Sequence, residues 1–99
     1  MSQARRPDLL TRVADGEALI LDRTAGKIHR LNTTASYIWN ECDRRSASEI
    51  AMLMLAHFDT TASLALSDVE ATLSDFRRLG LVFDTRDAAT QQANGGANE

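Results

Sequence analysis

The spacing of the hydrophobic residues changes at Asn32, and this change constrains the fold more than any other feature of the sequence. Before Asn32, short β-compatible runs are separated by breaks that contain glycine. After Asn32, apolar residues recur every three or four positions, as they do along one face of a helix. Asparagine is also a favoured N-cap residue, so we expect strands to end and helices to begin here.

The part of the chain before Asn32 predicts an antiparallel meander. Its three runs are Leu9–Val13, Glu17–Asp22 and Lys27–Leu31, and they are separated by ADG and RTAG. Glycine-containing breaks of this length are typical of β-hairpins. The third strand would then lie at an edge of the sheet.

Three helices are predicted after Asn32. The first is Thr33–Cys42, and the second is Ala47–His57, which begins at the capping box SASE. The third helix carries an apolar stripe up to Phe76 and ends near Gly80. Its start is open, because Thr61 could cap it and the sequence SDVE, residues 67–70, is itself a capping box.

The order of these elements predicts an α+β fold, a winged helix-turn-helix in which a three-stranded antiparallel sheet is followed by three helices. The extended run Leu81–Phe83 would supply the wing. A chain of 99 residues with 43% hydrophobic content has room for one core. We expect residues 9–84 to form this domain, residues 1–8 to be a flexible arm, and residues 85–99 to be a disordered tail.

Composition excludes several classes of partner. The formal net charge is −3, and the 14 acidic and 11 basic residues alternate without a basic block. Nucleic acid and anionic lipid both need a clustered basic surface, so neither is an expected partner. The chain has one cysteine and no apolar run long enough to span a bilayer, which favours a cytoplasmic protein without disulfides.

No arrangement of side chains predicts catalysis, a metal site or a cofactor. His29 and His57 have no neighbouring ligands at metal-binding spacing, and we expect both to be structural. Cys42 lies on the apolar stripe of the first helix, where a thiol is usually a small buried hydrophobe. Trp39 is expected in the core. The chain is therefore not expected to be an enzyme.

The main alternative to a peptide-binding role is a winged-helix DNA-binding regulator. In such proteins the third helix enters the major groove, and basic side chains supply most of the affinity. Here that helix carries Asp68, Glu70 and Asp75 against Arg77 and Arg78. This net charge of −1 argues against DNA binding.

Three segments together resemble the PqqD family, small peptide chaperones named for pyrroloquinoline quinone (PQQ) biosynthesis. The segments are GKIHRLNTTASYIWNECD, SASEIAMLMLAHFD and SDVEATLSDFRRLGLV. The shared features are LN after the third strand, IW in the first helix, EI and DV early in the next two, and LGLV at the end. The resemblance covers Glu17 to Val82. One departure is Arg44, which follows Asp43 where the family often has glycine.

The resemblance implies a function. Members of this family act as recognition elements for ribosomally made peptides, and a leader peptide adds as an extra strand to the third strand and lies against the third helix. They present that leader to a modifying enzyme, often a radical S-adenosylmethionine protein. Carried over here, the docking edge is Lys27 to Leu31, that is Lys27, Ile28, His29, Arg30 and Leu31.

The wall of the implied groove is the third helix. Its positions Asp68, Thr72, Asp75 and Leu79 share one face, and we expect pockets between them and the side chains of Ile28 and Arg30. A third hypothesis uses the same open edge for assembly of a homodimer.

Overall fold

Five strands and three helices lie within residues 2–85, the part of the chain that the computed structural model describes. The predicted disordered tail, apart from Thr85, lies outside the described residues. In chain order the elements are β1 (Gln3–Arg5), β2 (Leu10–Ala14), β3 (Glu17–Asp22), β4 (Lys27–Arg30), α1 (Thr33–Glu41), α2 (Ala47–Leu55), α3 (Ala62–Arg78) and β5 (Val82–Asp84).

Strands β2, β3 and β4 form an antiparallel sheet with β3 in the centre. Side chains of β3 alternate between the two faces, and Ala18, Ile20 and Asp22 are buried on the inner face. The inner face packs towards the helices, whereas Leu19 and Leu21 lie on the outer face. The predicted meander followed by three helices is confirmed, and the ends of the elements differ by one or two residues.

The three helices begin where side-chain caps are available. Asn32 accepts a hydrogen bond from the Ala35 N–H at 2.8 Å, and Ser46 and Glu49 form the predicted capping box. Thr61 caps α3 through the Leu64 N–H at 3.2 Å. The open choice for the start of α3 is thus decided in favour of Thr61, and the SDVE sequence lies inside the helix.

The helices and the sheet share one hydrophobic core. Ile20 from the sheet packs with Ile38 and Trp39 of α1, and α2 and α3 add their own buried stripes. The Trp39 ring meets the Phe76 ring edge to face, with the ring centres 5.4 Å apart. Trp39 is 2% exposed, so its predicted place in the core is confirmed.

The flexible arm expected at residues 1–8 is wrong for its central part. Strand β1 pairs antiparallel with β5 in a second, two-stranded sheet, and the Thr85 N–H donates to the Ser2 carbonyl at 3.1 Å. Gln3 is 1% exposed, and its side-chain amide donates to the carbonyls of Cys42 and Arg45. This short polar segment has no hydrophobic periodicity that would predict a strand. Its structure depends on partners at the far end of the described chain and in a turn.

An ion pair connects this N-terminal segment to the main sheet. The Arg6 guanidinium lies 2.9 Å from the carboxylate of Asp22, which is nearly buried, and 2.6 Å from that of Asp8. Hydrogen bonds from Arg6 hold the pKa of both carboxyl groups below the ordinary value. Both acids therefore favour the folded state in their ionised form.

The turn between α1 and α2 contains Arg44 in a left-handed conformation, with φ of 62°. Its N–H donates to the Gln3 carbonyl at 2.6 Å, which ties the turn to β1. A residue with a Cβ is strained in this region by about 1 kcal/mol, whereas glycine is not. The departure from the Asp-Gly pattern thus places an arginine where the backbone favours glycine.

Truncation of Gln3 should test the role of β1. We expect Gln3→Ala to lower the free energy of unfolding by about 2 kcal/mol, because it removes the two hydrogen bonds to the carbonyls of Cys42 and Arg45, which contribute about 1 kcal/mol each. Urea denaturation measures this change. The control is Arg12→Ala on exposed β2, expected within about 0.5 kcal/mol of the unsubstituted chain. Equal stability of Gln3→Ala and the control would contradict a structural β1.

The ion pair predicts a specific dependence of stability on pH. The folded-state pKa of Asp22 lies below its ordinary value of 3.8, so its contribution is complete above about pH 5 and is lost as the pH falls through the lowered pKa. Asp22→Asn should therefore be less stable than the unsubstituted chain at neutral pH, and the difference should shrink towards about pH 2. Denaturation at a series of pH values measures it. A difference that does not vary with pH would rule out this role for the ionised carboxylate.

Candidate functional site

Strand β4 lies at one edge of the three-stranded sheet. Within residues 2–85 it pairs with β3 alone. The Leu31 N–H donates to the Ala18 carbonyl at 2.9 Å, and antiparallel pairs alternate between bonded and non-bonded positions. Lys27 and His29 therefore direct their backbone groups towards β3. The N–H and C=O groups of Ile28 and Arg30 point away from the sheet, where an added strand could bond to them.

A groove of about 500 Å³ lies beside this edge, between the end of β4, the start of α1 and the outer face of α3. It contains six of the sequence-predicted site residues, and these are Arg30, Leu31, Asp68, Thr72, Asp75 and Leu79. The helical spacing that placed the α3 residues on one face thus corresponds to one wall of a real concavity.

The side chains of the remaining predicted site residues lie elsewhere. Ile28 pairs with Leu21, which places its side chain on the outer face of the sheet, where it is 66% exposed. The expected pocket between Ile28 and α3 is therefore wrong, and only the Ile28 backbone faces the edge. His29 pairs with the buried Ile20 on the inner face, and Lys27 likewise does not line the groove.

Sequence reasoning missed the wall formed by the first turn of α1. Asn32, Thr34 and Ala35 line the groove next to Leu31. The signal was available, because the N-cap that ends β4 must bring the first helical turn beside the strand edge. The capping role of Asn32 predicts where α1 begins, but it does not by itself predict that the first turn lines a groove.

The groove combines an apolar floor with the acidic side chains of Asp68 and Asp75 on α3, whereas the Arg30 guanidinium lies towards the outer face of the sheet. Leu31 and Phe76 are buried beneath it, and Leu79 is 41% exposed. Arg30 reaches Glu17 at 3.0 Å, and Asp75 reaches Arg78 at 3.0 Å. Asp68 has no ion-pair partner among the described residues. Exposed pairs of this kind contribute little stability, so a ligand can replace them at small cost.

The one thiol among the described residues is buried and unreactive. Cys42 is fully buried, and burial raises the pKa of its thiol to about 12, so the reactive thiolate is disfavoured at neutral pH. Within residues 2–85 no cluster of histidine, cysteine and acidic side chains has a geometry that could hold a metal ion. No helix in this part of the chain is long and apolar enough to cross a membrane.

Fold and edge together define a class, a winged helix-turn-helix domain whose small sheet has an edge beside a helix that no strand within residues 2–85 covers. A family model described as coenzyme PQQ synthesis protein D (PqqD) matches residues 17–82, about two thirds of the chain. The chain belongs to this family. No match was found among curated proteins.

Two solved structures share the fold. One is described as TbiB1 in complex with the TbiA(beta) leader peptide; it has a TM-score of 0.72 and 18% identity, over 80% of this chain and 93% of that chain. The other is described as lasso peptide synthetase B1 complexed with the leader peptide. It has a TM-score of 0.74 and 21% identity, over 85% of this chain and all of the other.

The alternation along β4 makes a direct prediction about amide exchange. We expect the amides of Ile28 and Arg30 to exchange with solvent within the dead time of a native-state hydrogen-exchange experiment, because no described residue supplies them with a backbone acceptor. The amides of His29 and Leu31 should be protected, since they bond to β3. Protection of all four amides in the free protein would mean that the edge is already covered.

Proposed function

We propose that the chain is a non-catalytic recognition element that binds the leader of a ribosomally made precursor peptide and presents it to a modifying enzyme. The single observation that carries this proposal is the unpaired edge of β4 beside the groove on α3. Strand addition at such an edge is a general mode of peptide recognition. Family membership and the leader-bound structures of the same fold support the proposal.

The edge by itself cannot supply the affinity. Ile28 and Arg30 offer two N–H and two C=O groups, and each hydrogen bond contributes about 0.5 to 1.5 kcal/mol net. Micromolar binding needs about 8 kcal/mol, and ordering the peptide adds a further cost. Side chains in the groove must provide the remainder, so the groove and not the edge selects the leader.

The groove suggests which leaders would fit. In an added strand, alternate side chains point towards α3, spaced by about 7 Å. An apolar side chain would pack on Leu31, Phe76 and Leu79. A basic side chain of the leader would lie near Asp68 or Asp75. Extended segments that mix apolar and basic residues are therefore the proposed ligands.

The partners follow from the same proposal. The modifying enzyme is proposed to be of the radical S-adenosylmethionine type, as in many systems of this family, and the complex is proposed to work in the cytoplasm. A homodimer through β4 would use the same outward groups of Ile28 and Arg30, and a register that pairs Arg30 with itself would set like charges opposite each other. Like charges directly opposite each other destabilise a strand pair.

The DNA-binding alternative finds no support in the structure. A recognition helix needs a basic face, but the groove-facing side of α3 presents Asp68 and Asp75. Its basic residues Arg77 and Arg78 lie in the last turn, where they favour the helix dipole. Measured salt-dependent binding to duplex DNA would be needed to support the DNA-binding alternative.

A proline at position 28 tests strand addition. The Ile28 N–H is not used by β3, so Ile28→Pro is compatible with an edge strand, yet it removes a donor that the leader needs. We expect the dissociation constant for a cognate leader to rise about tenfold, because each 1.4 kcal/mol is a factor of ten. Calorimetric titration measures the constant, and circular dichroism checks the fold.

The matched control is Ile28→Ala. It keeps the backbone N–H and removes a side chain that points away from the groove, so we expect affinity within about twofold of the unsubstituted chain. If alanine weakened leader binding as much as proline does, the outer face of the sheet would be the binding surface and strand addition at β4 would be wrong.

A further inference from the structure

The second edge of the sheet, β2, is also unpaired. Within residues 2–85 it bonds to β3 alone, and all five of its residues are exposed. Because the even-numbered residues of β3 bond to β4, the odd-numbered ones bond to β2. The register pairs Thr11 with Ile20 and Val13 with Ala18. The N–H and C=O groups of Thr11 and Val13 therefore point outwards.

Two concavities flank this edge. The first, here called the arginine cleft, has a volume of about 460 Å³ and is lined among others by Arg5, Leu9, Arg44 and Phe83. The second, the aromatic hollow, has a volume of about 270 Å³ and is lined among others by Val13, Tyr37 and Phe58. Thr11 and Trp39 line both, so the two concavities form one continuous surface along β2.

Three arginines and one acidic residue line the arginine cleft, in a protein whose net charge is negative. Arg6 also lines it but is neutralised by Asp8 and Asp22. The Arg5 guanidinium lies 5.5 Å from the centre of the Trp39 ring and donates to the Trp39 carbonyl at 3.4 Å. Among the described residues it has no carboxylate partner.

Arg44 is the second guanidinium of the cleft without a carboxylate partner among residues 2–85. The one acidic residue of the cleft, Asp43, accepts the backbone N–H of Arg5 at 3.0 Å. Arg44 also occupies the left-handed turn position that glycine would fill with less strain. A strained arginine with a free guanidinium at the cleft is better explained by a ligand than by folding.

We infer that β2 is a second docking edge, which takes an extended acidic segment of a protein partner. The segment adds to the backbone groups of Thr11 and Val13. An acidic side chain lies between Arg5 and Arg44 in the arginine cleft. An apolar side chain two residues along, about 7 Å away, fills the aromatic hollow.

Charge excludes a second copy of this chain as the occupant. Antiparallel self-pairing of β2 about its centre would place Arg12 opposite Arg12. The leader is also distinct from this ligand, because the arginine cleft shares no lining residue with the groove beside β4. Both edges can thus be occupied together. Under the proposed function the modifying enzyme is the partner that would supply the acidic segment, but the surface stands on its own geometry.

The test uses a blocked synthetic peptide in which aspartate, leucine and phenylalanine alternate with threonine, titrated to millimolar concentration into the full chain. We expect NMR shifts at the amides of Thr11 and Val13, at the indole N–H of Trp39 and at Arg44. A matched peptide with lysine in place of aspartate should bind at least fivefold more weakly. Equal binding of both peptides, shifts confined to β4, or no shifts would each overturn the inference.

Two variants separate ligand binding from folding. Arg44→Gly removes the guanidinium and relieves the turn, so it should weaken the aspartate peptide several-fold while the urea midpoint does not fall. Arg77→Ala removes the same charge from α3, away from the cleft, and should leave binding unchanged. If both variants weakened peptide binding equally, net charge alone would explain the effect, and the assigned site would be wrong. If a leader peptide still causes NMR shifts at β4 in the Arg44→Gly variant, the proposed leader function remains intact.

Discussion

A sheet of three strands has one strand that is paired on both sides and two that are not, and the rest of this molecule is arranged around that constraint. Strand β3 carries the buried residues and bonds in both directions. Its neighbours each leave alternate backbone groups without a partner in the described structure. Exposed edges of this kind promote aggregation unless they are blocked or used. Here both carry cationic side chains, Arg12 on β2 and Lys27 and Arg30 on β4, which oppose pairing with a second copy.

The surroundings of the two edges make them chemically different. Beside β4 lies a helix that supplies one wall of a groove, with an apolar floor and two aspartates. Beside β2 lies a cleft with two guanidinium groups and an aromatic surface. The same backbone interaction can therefore serve two ligands, since selectivity resides in the side chains that flank each edge.

The N-terminal segment stabilises this arrangement from outside the sheet. Strand β1 pairs with β5, which follows directly after α3, and Gln3 bonds the turn between α1 and α2. The ion pair of Arg6 with Asp22 then fastens the same segment to β3. Through these contacts the N-terminal segment connects the end of α3 to the sheet. The same segment supplies Arg5 to the cleft beside β2.

The sequence by itself determined the order of the elements, the change from strand to helix at Asn32, and the face of α3 that carries Asp68, Thr72, Asp75 and Leu79. These features are local, because hydrophobic period, capping chemistry and turn glycines act over a few residues. It also identified β4 as an edge, since a meander ends on its last strand. The family resemblance implied which strand and which helix would contact a ligand. Membership of the family is confirmed.

Only the tertiary structure decided the features that depend on contacts between distant segments. The pairing of β1 with β5 joins the two ends of the described chain, so no local sequence pattern predicts it. The register decided that Ile28 offers its backbone and not its side chain to the groove, because a shift by one residue would reverse its face. The meeting of Arg5 and Arg44 at one cleft has the same origin. Hydrophobic spacing determines which face of an element is buried, but which surfaces then meet is decided by packing across the whole fold.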